Sequence, residues 1–465
     1  SSAMCWGYNN YGQLGDGTTT NSNTPVAVTL PTGRTATAIS AGYYHTCAIL
    51  DDDSIMCWGR NDRGQLGDGT NTDSNTPGTV NLPTGRTVTA ISNADYHTCA
   101  ILDDSSVMCW GEGSNGQLGN GQTYDYTTPV YSSLSGITSL TISSGGSHTC
   151  IVSESSSLMC WGYNYYGQLG DGTNTDSNTP ITIWAKIFDD MSSAGGEHTC
   201  ATIDDDSLMC WGSNDYGQLG DGTYTSSNTP VAVNLPTGRT ATAISAGYYH
   251  TCAILDDSSV MCWGYNNYGQ LGDGTTTNSN TPLAVTLPTG RTVTAISAGY
   301  YHTCAILDDD SLMCWGFNAD GQLGVGTYVN SYYTPVAVTR PGVDLSRGNG
   351  INRDSGINII NIWAGDNTIL VHEDDTDGTD CYRFWITYGT NDMAIESPNE
   401  VLEKCDSTSS YSGYYYMRAR AISYEDTFYI ALDRSPLSST STSWPSSGST
   451  CSTRCQELYY MLEFE

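Results

Sequence analysis

The chain has 465 residues, 16 of them basic and 49 acidic, for a formal net charge of -33. That length exceeds what one ordinary core needs, so either several domains or one repeat array is expected. So acidic a surface excludes nucleic acid and anionic lipid as partners, because both are bound by Lys and Arg that displace counterions. Aromatic content is lopsided, 32 Tyr against 5 Phe, and rings with a polar handle suit strands with one wet face and suit interfaces. The sequence holds no run of about 18 apolar residues such as a membrane-inserting helix requires.

The chain starts inside a repeat, at Ser1-Ser2-Ala3-Met4-Cys5-Trp6, without a signal peptide, which reads as a processed mature end. A strand-like Ala3-Met4-Cys5-Trp6-Gly7 is followed by Gly12-Gln13-Leu14-Gly15 and a polar stretch ending in Thr-Pro. The next unit, Thr37 to Thr70, contains a strand-like His45 to Leu50, a turn at Asp51, Asp52, Asp53 and Ser54, and a second strand from Ile55 to Trp58. This is a β-hairpin. Folding it about Asp52 sets Ile49 opposite Ile55, Ala48 opposite Met56 and Cys47 opposite Cys57. Directly opposed strand residues have Cα atoms about 4.5–5.5 Å apart, within reach of a disulfide.

The pattern then recurs. GQLG occurs seven times, starting at Gly12, Gly64, Gly116, Gly167, Gly217, Gly269 and Gly321, at steps of 52, 52, 51, 50, 52 and 52 residues. A Trp-Gly pair precedes each one. Cysteines ten residues apart recur as Cys47 with Cys57, Cys99 with Cys109, Cys150 with Cys160, Cys200 with Cys210, Cys252 with Cys262 and Cys304 with Cys314. CxxC knuckles are absent, so disulfides are favoured over zinc, and an oxidising, extracellular or cell-surface setting follows. All-β units of this length stack as four-stranded blades about an axis. Six units are complete. A seventh is split: Ile362 to Leu370 supplies one strand, and Cys5 and Trp6 at the N-terminus supply its partner, which closes the ring and removes open edges. The expected fold is an all-β, seven-bladed β-propeller over residues 1–375, closed by N- and C-terminal strands in one blade.

From about Thr376 to Glu465 the repeat stops, leaving a Cys/Tyr/Ser-rich extension with Cys381, Cys405, Cys451 and Cys455. Arg418 to Ile422 and Thr427 to Leu432 suit a hairpin. With Cys5, these four leave an odd number outside the hairpins. The expectation is that Cys5 bonds to a tail cysteine and that another bonds to a second chain.

The unit SAGYYHTCAILDDDSIMCWGRNDRGQLGDGT, Ser40 to Thr70, resembles the regulator of chromosome condensation repeat, with its Gly-x-x-His-Thr strand, acidic turn, Trp-Gly and Gly-Gln-Leu-Gly. The resemblance covers about Ser1 to Asp375 and implies a seven-bladed propeller. The family includes a nuclear exchange factor for a small GTPase, secreted β-lactamase inhibitors, and Cys-rich surface proteins of bacteria and algae. This chain most resembles the Cys-rich surface members. It lacks a basic tail, so the fold carries over and the exchange activity does not.

Of the seven histidines, His45, His97, His148, His198, His250 and His302 repeat one His-Thr-Cys context and read as structural; His372 has no nucleophile in its motif. The acidic tips at Asp51 to Asp53, Asp103 and Asp104, Asp204 to Asp206, Asp256 and Asp257, and Asp308 to Asp310 read as solvated turns. Calcium at these loops is the weaker reading, since no closing glutamate completes a loop. No phosphate loop, HExxH or GxSxG motif occurs. The expectation is a non-enzymatic extracellular structural or adhesive protein-interaction propeller, possessing no cofactor and engaging protein partners, its own copies included. A secreted binder or inhibitor of another protein, and a carbohydrate-binding or hydrolytic propeller, are the alternatives.

Overall fold

A computed structural model describes residues 3–134, 139–184, 192–203 and 207–339, together with the backbone of six further strands between residues 358 and 436. Every regular element among them is a strand. The chain divides into two compact units, Ser1–Val338 and Thr339–Glu465. The first ends earlier than the boundary at Asp375 set by the end of the repeat.

Unit one opens with a two-stranded sheet, β1 (Met4–Gly7) and β2 (Ser22–Ala27). Six four-stranded sheets follow, each an antiparallel meander. Blade 1 is β3 (Ala36–Ala41), β4 (His45–Leu50), β5 (Ile55–Gly59) and β6 (Ser74–Thr79). Blade 2 is β7 (Val88–Asn93), β8 (His97–Leu102), β9 (Val107–Gly111) and β10 (Tyr126–Tyr131). Blade 3 is β11 (Ser139–Ser144), β12 (His148–Ser153), β13 (Leu158–Gly162) and β14 (Ser177–Trp184). Blade 4 is β15 (Ser192–Ala194), β16 (His198–Thr202), β17 (Leu208–Gly212) and β18 (Ser227–Ala232). Blade 5 is β19 (Ala241–Ala246), β20 (His250–Leu255), β21 (Val260–Gly264) and β22 (Ser279–Ala284). Blade 6 is β23 (Val293–Ala298), β24 (His302–Leu307), β25 (Leu312–Phe317) and β26 (Ser331–Ala337). The first strands of successive blades neighbour one another and form the inner wall.

Each hairpin follows from its turn. Leu50 and Ser54 bracket three residues, and Asp53 sits at φ 60°. That is the three-residue loop whose last residue is left-handed, a conformation Asp tolerates. The turn sets Cys47 opposite Cys57. Six disulfides join Cys47 to Cys57, Cys99 to Cys109, Cys150 to Cys160, Cys200 to Cys210, Cys252 to Cys262 and Cys304 to Cys314, each with Cα–Cα 4.1 Å. Sheet faces are buried on both sides, so His45–Leu50 is buried at every residue and does not alternate. Cys47 and Ile49 pack toward Trp110 of blade 2, whereas Ala48 and Leu50 pack toward Trp58 and the β1–β2 sheet. The core is therefore a series of interfaces between neighbouring blades.

The GQLG motif fastens these interfaces. The Gln65 carbonyl accepts from Thr98 Oγ1 at 3.0 Å and from Trp110 Nε1 at 2.9 Å, both in the next blade. His45 Nε2 lies 2.8 Å from the same Thr98 hydroxyl. That hydroxyl spends its proton on Gln65, so the histidine donates and carries its proton on Nε2. The pattern repeats through Gln117, Gln168, Gln218 and Gln270. It also links the β1–β2 sheet to blade 1, where Gln13 accepts from Thr46 and Trp58, and to blade 6, where Trp6 Nε1 donates to Gln322 at 3.0 Å. Gly67 shows why the motif ends in glycine: at φ +69° a Cβ there would sit 2.7 Å from Trp110 Nε1.

The ring therefore has six complete blades, not the expected seven, and β1–β2 forms a half-blade between blades 6 and 1. The split blade is corrected. Leu370 pairs with Phe384, and Cys5 pairs across to Val26. Local pairing wins because consecutive strands close short loops, whereas joining residue 370 to residue 5 closes nearly the whole chain.

In unit two, β27 (Asn358–Gly365), β28 (Thr368–Asp374), β29 (Asp380–Ile386), β30 (Asn399–Asp406), β31 (Tyr415–Tyr424) and β32 (Thr427–Pro436) form one six-stranded meander. The β31–β32 hairpin turns at Tyr424↔Thr427. Cys381 stands opposite Cys405 in the β29–β30 register. Cys451 and Cys455 lie outside the described residues.

Candidate functional site

The two ends of the blades differ. Each second strand starts at a repeat histidine and runs to an acidic turn, so the ring has a rim of His-side turns and a rim of acidic turns. On the acidic rim, an arginine preceding the first strand clamps the turn of its own blade in blades 1, 2, 5 and 6. Arg34 meets Asp51 and Asp52, Arg86 meets Asp103 and Asp104, Arg239 meets Asp256 and Asp257, and Arg291 meets Asp308 and Asp309. These tips are ion-paired, not merely solvated; Asp204 to Asp206 lie outside the described residues. Among the described residues no cluster of three or more His, Cys, Asp or Glu is arranged to hold a metal.

The hairpin cysteines belong to the framework and to neither rim. Cys99 and Cys109, Cys200 and Cys210, and Cys252 and Cys262 are fully buried within their blades, and so is Cys314, which holds the half-buried Cys304. With both sulfurs of each pair spent in a disulfide, they offer no thiolate to a metal or a substrate.

His45, His97, His148, His198 and His250 are placed by bonds to the threonine of the next blade, whereas His302, half-buried in blade 6, faces the half-blade. Burial lowers His45, His97, His198 and His250 to about 3 and His148 and His302 to about 4. They stay neutral. Cys5, expected to bond to a tail cysteine, is half-buried and has no disulfide partner among the described residues, which do not include Cys451 and Cys455. Burial, with the Asp16 carboxylate adding, pushes it up to about 12, which keeps it protonated and unreactive.

The His-side rim carries the aromatic surface. Two turns build it in each blade: the one before the second strand and the one after the third, joined by a backbone bond such as Arg60 N to Tyr44 O at 2.9 Å. At the inner position stand Tyr43, Asp95, Gly146, Gly196, Tyr248 and Tyr300 in blades 1 to 6. The next position holds Tyr44, Tyr96, Ser147, Glu197, Tyr249 and Tyr301. Tyr248 and Tyr300 stack with centroids 4.0 Å apart at 26°. Tyr300 lies 5.0 Å from Tyr43, which lies 4.1 Å from Tyr44. Tyr265, Tyr268 and Phe317 extend the patch outward over blades 5 and 6. Burial raises the Tyr44, Tyr248 and Tyr300 hydroxyls, so each remains a hydrogen-bond donor.

The charges on this rim are mostly negative. Asp62, Asp95, Glu112, Glu197, Asp215 and Asp320 stand against Arg60 and Arg63. Arg60 is committed: its guanidinium lies 5.0, 5.5 and 5.2 Å from the Tyr11, Tyr44 and Tyr96 rings, and 2.7 Å from Asp62. Burial raises Glu112 and Glu197, and for Glu197 nearby Asp215 adds to it. A surface of stacked phenol rings among carboxylates suits polypeptide recognition: flat rings bury area at low entropic cost while their hydroxyls remain available to hydrogen-bond. Sequence reasoning noted the tyrosine excess but did not place it. The signal was present: the two residues before each His-Thr are Tyr-Tyr in blades 1, 5 and 6 and differ in blades 2, 3 and 4.

The sequence profile described as the RCC1-like domain matches residues 2–371. The chain is 31% identical to the Ultraviolet-B receptor UVR8 of Arabidopsis thaliana over 350 residues, covering 74% of this chain and 79% of that protein. It is 30% identical to the E3 ubiquitin-protein ligase HERC2 of Homo sapiens over 331 residues, spanning 69% of this chain but 7% of that ligase. Among solved structures, yeast RCC1 (Prp20) bound to Kap60 superposes with a TM-score of 0.67 at 20% identity, covering 78% of this chain and 87% of that one. Human WBSCR16 superposes with a TM-score of 0.66 at 22% identity, covering 73% and 94%.

Proposed function

The chain belongs to the RCC1-like domain family, a protein-interaction propeller fold, and from that premise we propose that it is a non-enzymatic binder that holds partner proteins on its tyrosine-rich rim, outside the cell or at its surface. The observation that supports the rim is the contiguous ring stack from the exposed Tyr43 through the half-buried Tyr300 and Tyr248, set among carboxylates on one end of a rigid ring. Exposed aromatic patches of this kind mark interaction sites in otherwise polar surfaces. The setting is supported by six disulfides, which persist where the surroundings are oxidising. A structural or adhesive role fits a ring fastened at every blade interface, and the net charge of -33 favours partners with a basic surface.

The test is a paired loss of binding. Proteins that co-purify with the wild-type chain from its native medium are identified and then measured against Tyr43→Ala with Tyr300→Ala, and against Arg86→Ala with Arg291→Ala on the acidic rim. Loss for the tyrosine pair alone is expected. Loss for the arginine pair alone, or for neither, overturns the assignment. The same material on non-reducing gels reads self-assembly, since a tail cysteine bonded to a second chain gives multimers that collapse on reduction.

A further inference from the structure

Within this rim one position breaks the repeat with a charge. Blade 2 places Asp95 where blades 1, 5 and 6 place Tyr43, Tyr248 and Tyr300, and where blades 3 and 4 place Gly146 and Gly196. The glycines make the floor. A Cβ on Gly146 would stand 3.4 Å from Asp95 Oδ2, and a Cβ on Gly196 would strike the Tyr248 ring at 2.5 Å. Asp95 and Tyr248 therefore lie either side of two turns whose inner positions, Gly146 and Gly196, carry no side chain, with the Tyr300 ring stacked behind Tyr248. Among the described residues nothing pairs with the Asp95 carboxyl: no donor and no cation reaches it, whereas the acidic tips on the other rim hold arginines. Its charged neighbours are Glu112 and Glu197, both of its own sign, and the nearest other titratable groups are the Tyr96 and Tyr248 hydroxyls. Asp95 keeps a window to solvent, as a binding group must, yet packing around its carboxyl and the two glutamates raise it to about 7. An isolated, desolvated carboxylate is costly unless a counter-charge arrives.

We infer that Asp95 and the Tyr248–Tyr300 stack form a socket for a side-chain cation, ammonium or guanidinium, presented by a partner polypeptide. The carboxylate supplies the charge, the Tyr248 and Tyr300 hydroxyl oxygens can accept from the same cation, and the lack of side chains on Gly146 and Gly196 lets the Asp95 and Tyr248 sides of the rim close together. The rim's own arginines do not fill this role, because Asp62 and three tyrosines already hold Arg60 and Asp125 holds Arg63. The inference rests on the rim being the binding face. It adds what part of the partner is read there. Because the socket needs the ionised carboxyl, capture strengthens as pH rises through about 7 and weakens below it.

The probes are short fluorescent Gly/Arg, Gly/Lys and Gly/norleucine peptides, titrated by anisotropy into the full chain at about 0.15 M salt, where surface attraction is screened beyond roughly 8 Å. Asp95→Asn and Asp53→Asn each remove one charge, so uniform attraction to an acidic protein falls equally for both. A roughly tenfold weakening of the cationic peptides in Asp95→Asn, with Asp53→Asn unchanged, is expected for truncating one partner of a desolvated charge pair. The strengthening from about pH 6 to about pH 8 should vanish in Asp95→Asn. Tighter Arg or tighter Lys binding identifies the cation read. Equal binding of the norleucine peptide, or equal loss in both Asp variants, overturns the socket. Tyr43→Ala with Tyr300→Ala separates the two claims: if it weakens binding while Asp95→Asn does not, the rim stands and the socket falls.

Discussion

Blades 3 and 4 and blades 5 and 6 share their hairpin disulfides and their tryptophan-to-glutamine bonds and differ most at the His-side rim. His148 bonds Thr199 and His250 bonds Thr303, both at 2.8 Å. Trp161 and Trp263 each donate to a glutamine carbonyl at 2.9 Å. The histidine, threonine, cysteine and tryptophan of the framework are thus shared. Yet blades 5 and 6 raise Tyr248-Tyr249 and Tyr300-Tyr301 on the His-side rim, where blades 3 and 4 present Gly146-Ser147 and Gly196-Glu197. The interfaces leave the buried positions no freedom, whereas the rim turns can vary without loosening the ring. The proposed function thus puts recognition where the repeat is broken, and stability where it is kept.

If the framework is shared, acid should attack every blade alike, and this effect is the largest expected. The six repeat histidines have folded pKa values of about 3 to 4, below the unfolded value near 6.5. A lowered histidine stabilises the fold above the unfolded pKa, and that contribution is lost as pH falls through 6.5 toward the folded value. Between pH 6 and pH 5 the unfolded chain holds about five more protons than the folded one, a loss of about 7 kcal/mol. Asp95, raised, acts in the opposite sense but is one group against six. A melting temperature flat across pH 6 to 5 would mean that the histidines are not sealed.

Next in size is truncation of the fastener itself. Trp161→Ala and Trp263→Ala should each cost about 3–5 kcal/mol, as buried aromatics do, and should match despite the different rims above them. Chemical denaturation checks this; unequal losses would break the equivalence of the two pairs of blades. Removing a staple costs less. Cys150→Ser with Cys160→Ser, and Cys252→Ser with Cys262→Ser, should each lower stability by about 2–3 kcal/mol, the chain-entropy value for so short a loop. The smallest effect belongs to the exposed clamps. Arg86→Ala should shift the melting temperature least, and the shift should vanish in high salt.

Much of this was legible in the sequence because the repeat writes it out. Cys47 and Cys57 are forced together by a three-residue turn, and GQLG with Trp-Gly gave the number of fasteners. What each motif does was not legible: the glutamine acts through its backbone carbonyl, which no side-chain pattern reports. The half-blade was missed for a different reason. Ile362 to Leu370 matches the repeat as a string, but strand pairing is decided by neighbours, and β28 found β27 and β29. Likewise the sequence leaves the partner of Cys381 among the tail cysteines open, while its register sets it opposite Cys405. Asp95 was visible all along as the single carboxylate among tyrosines and glycines at its aligned position. Only the fold shows that this position lies beside the Tyr248 stack.

The most direct test of the division between framework and rim is site-specific photo-crosslinking. A benzophenone amino acid replaces Tyr300 on the His-side rim or Asp53 on the acidic rim, and each chain is irradiated in its native medium. Recognition on the tyrosine rim predicts discrete protein adducts from position 300, suppressed by excess unlabelled wild-type chain, and none from position 53. Adducts from position 53 alone, or equal and unsuppressed adducts from both, would contradict it.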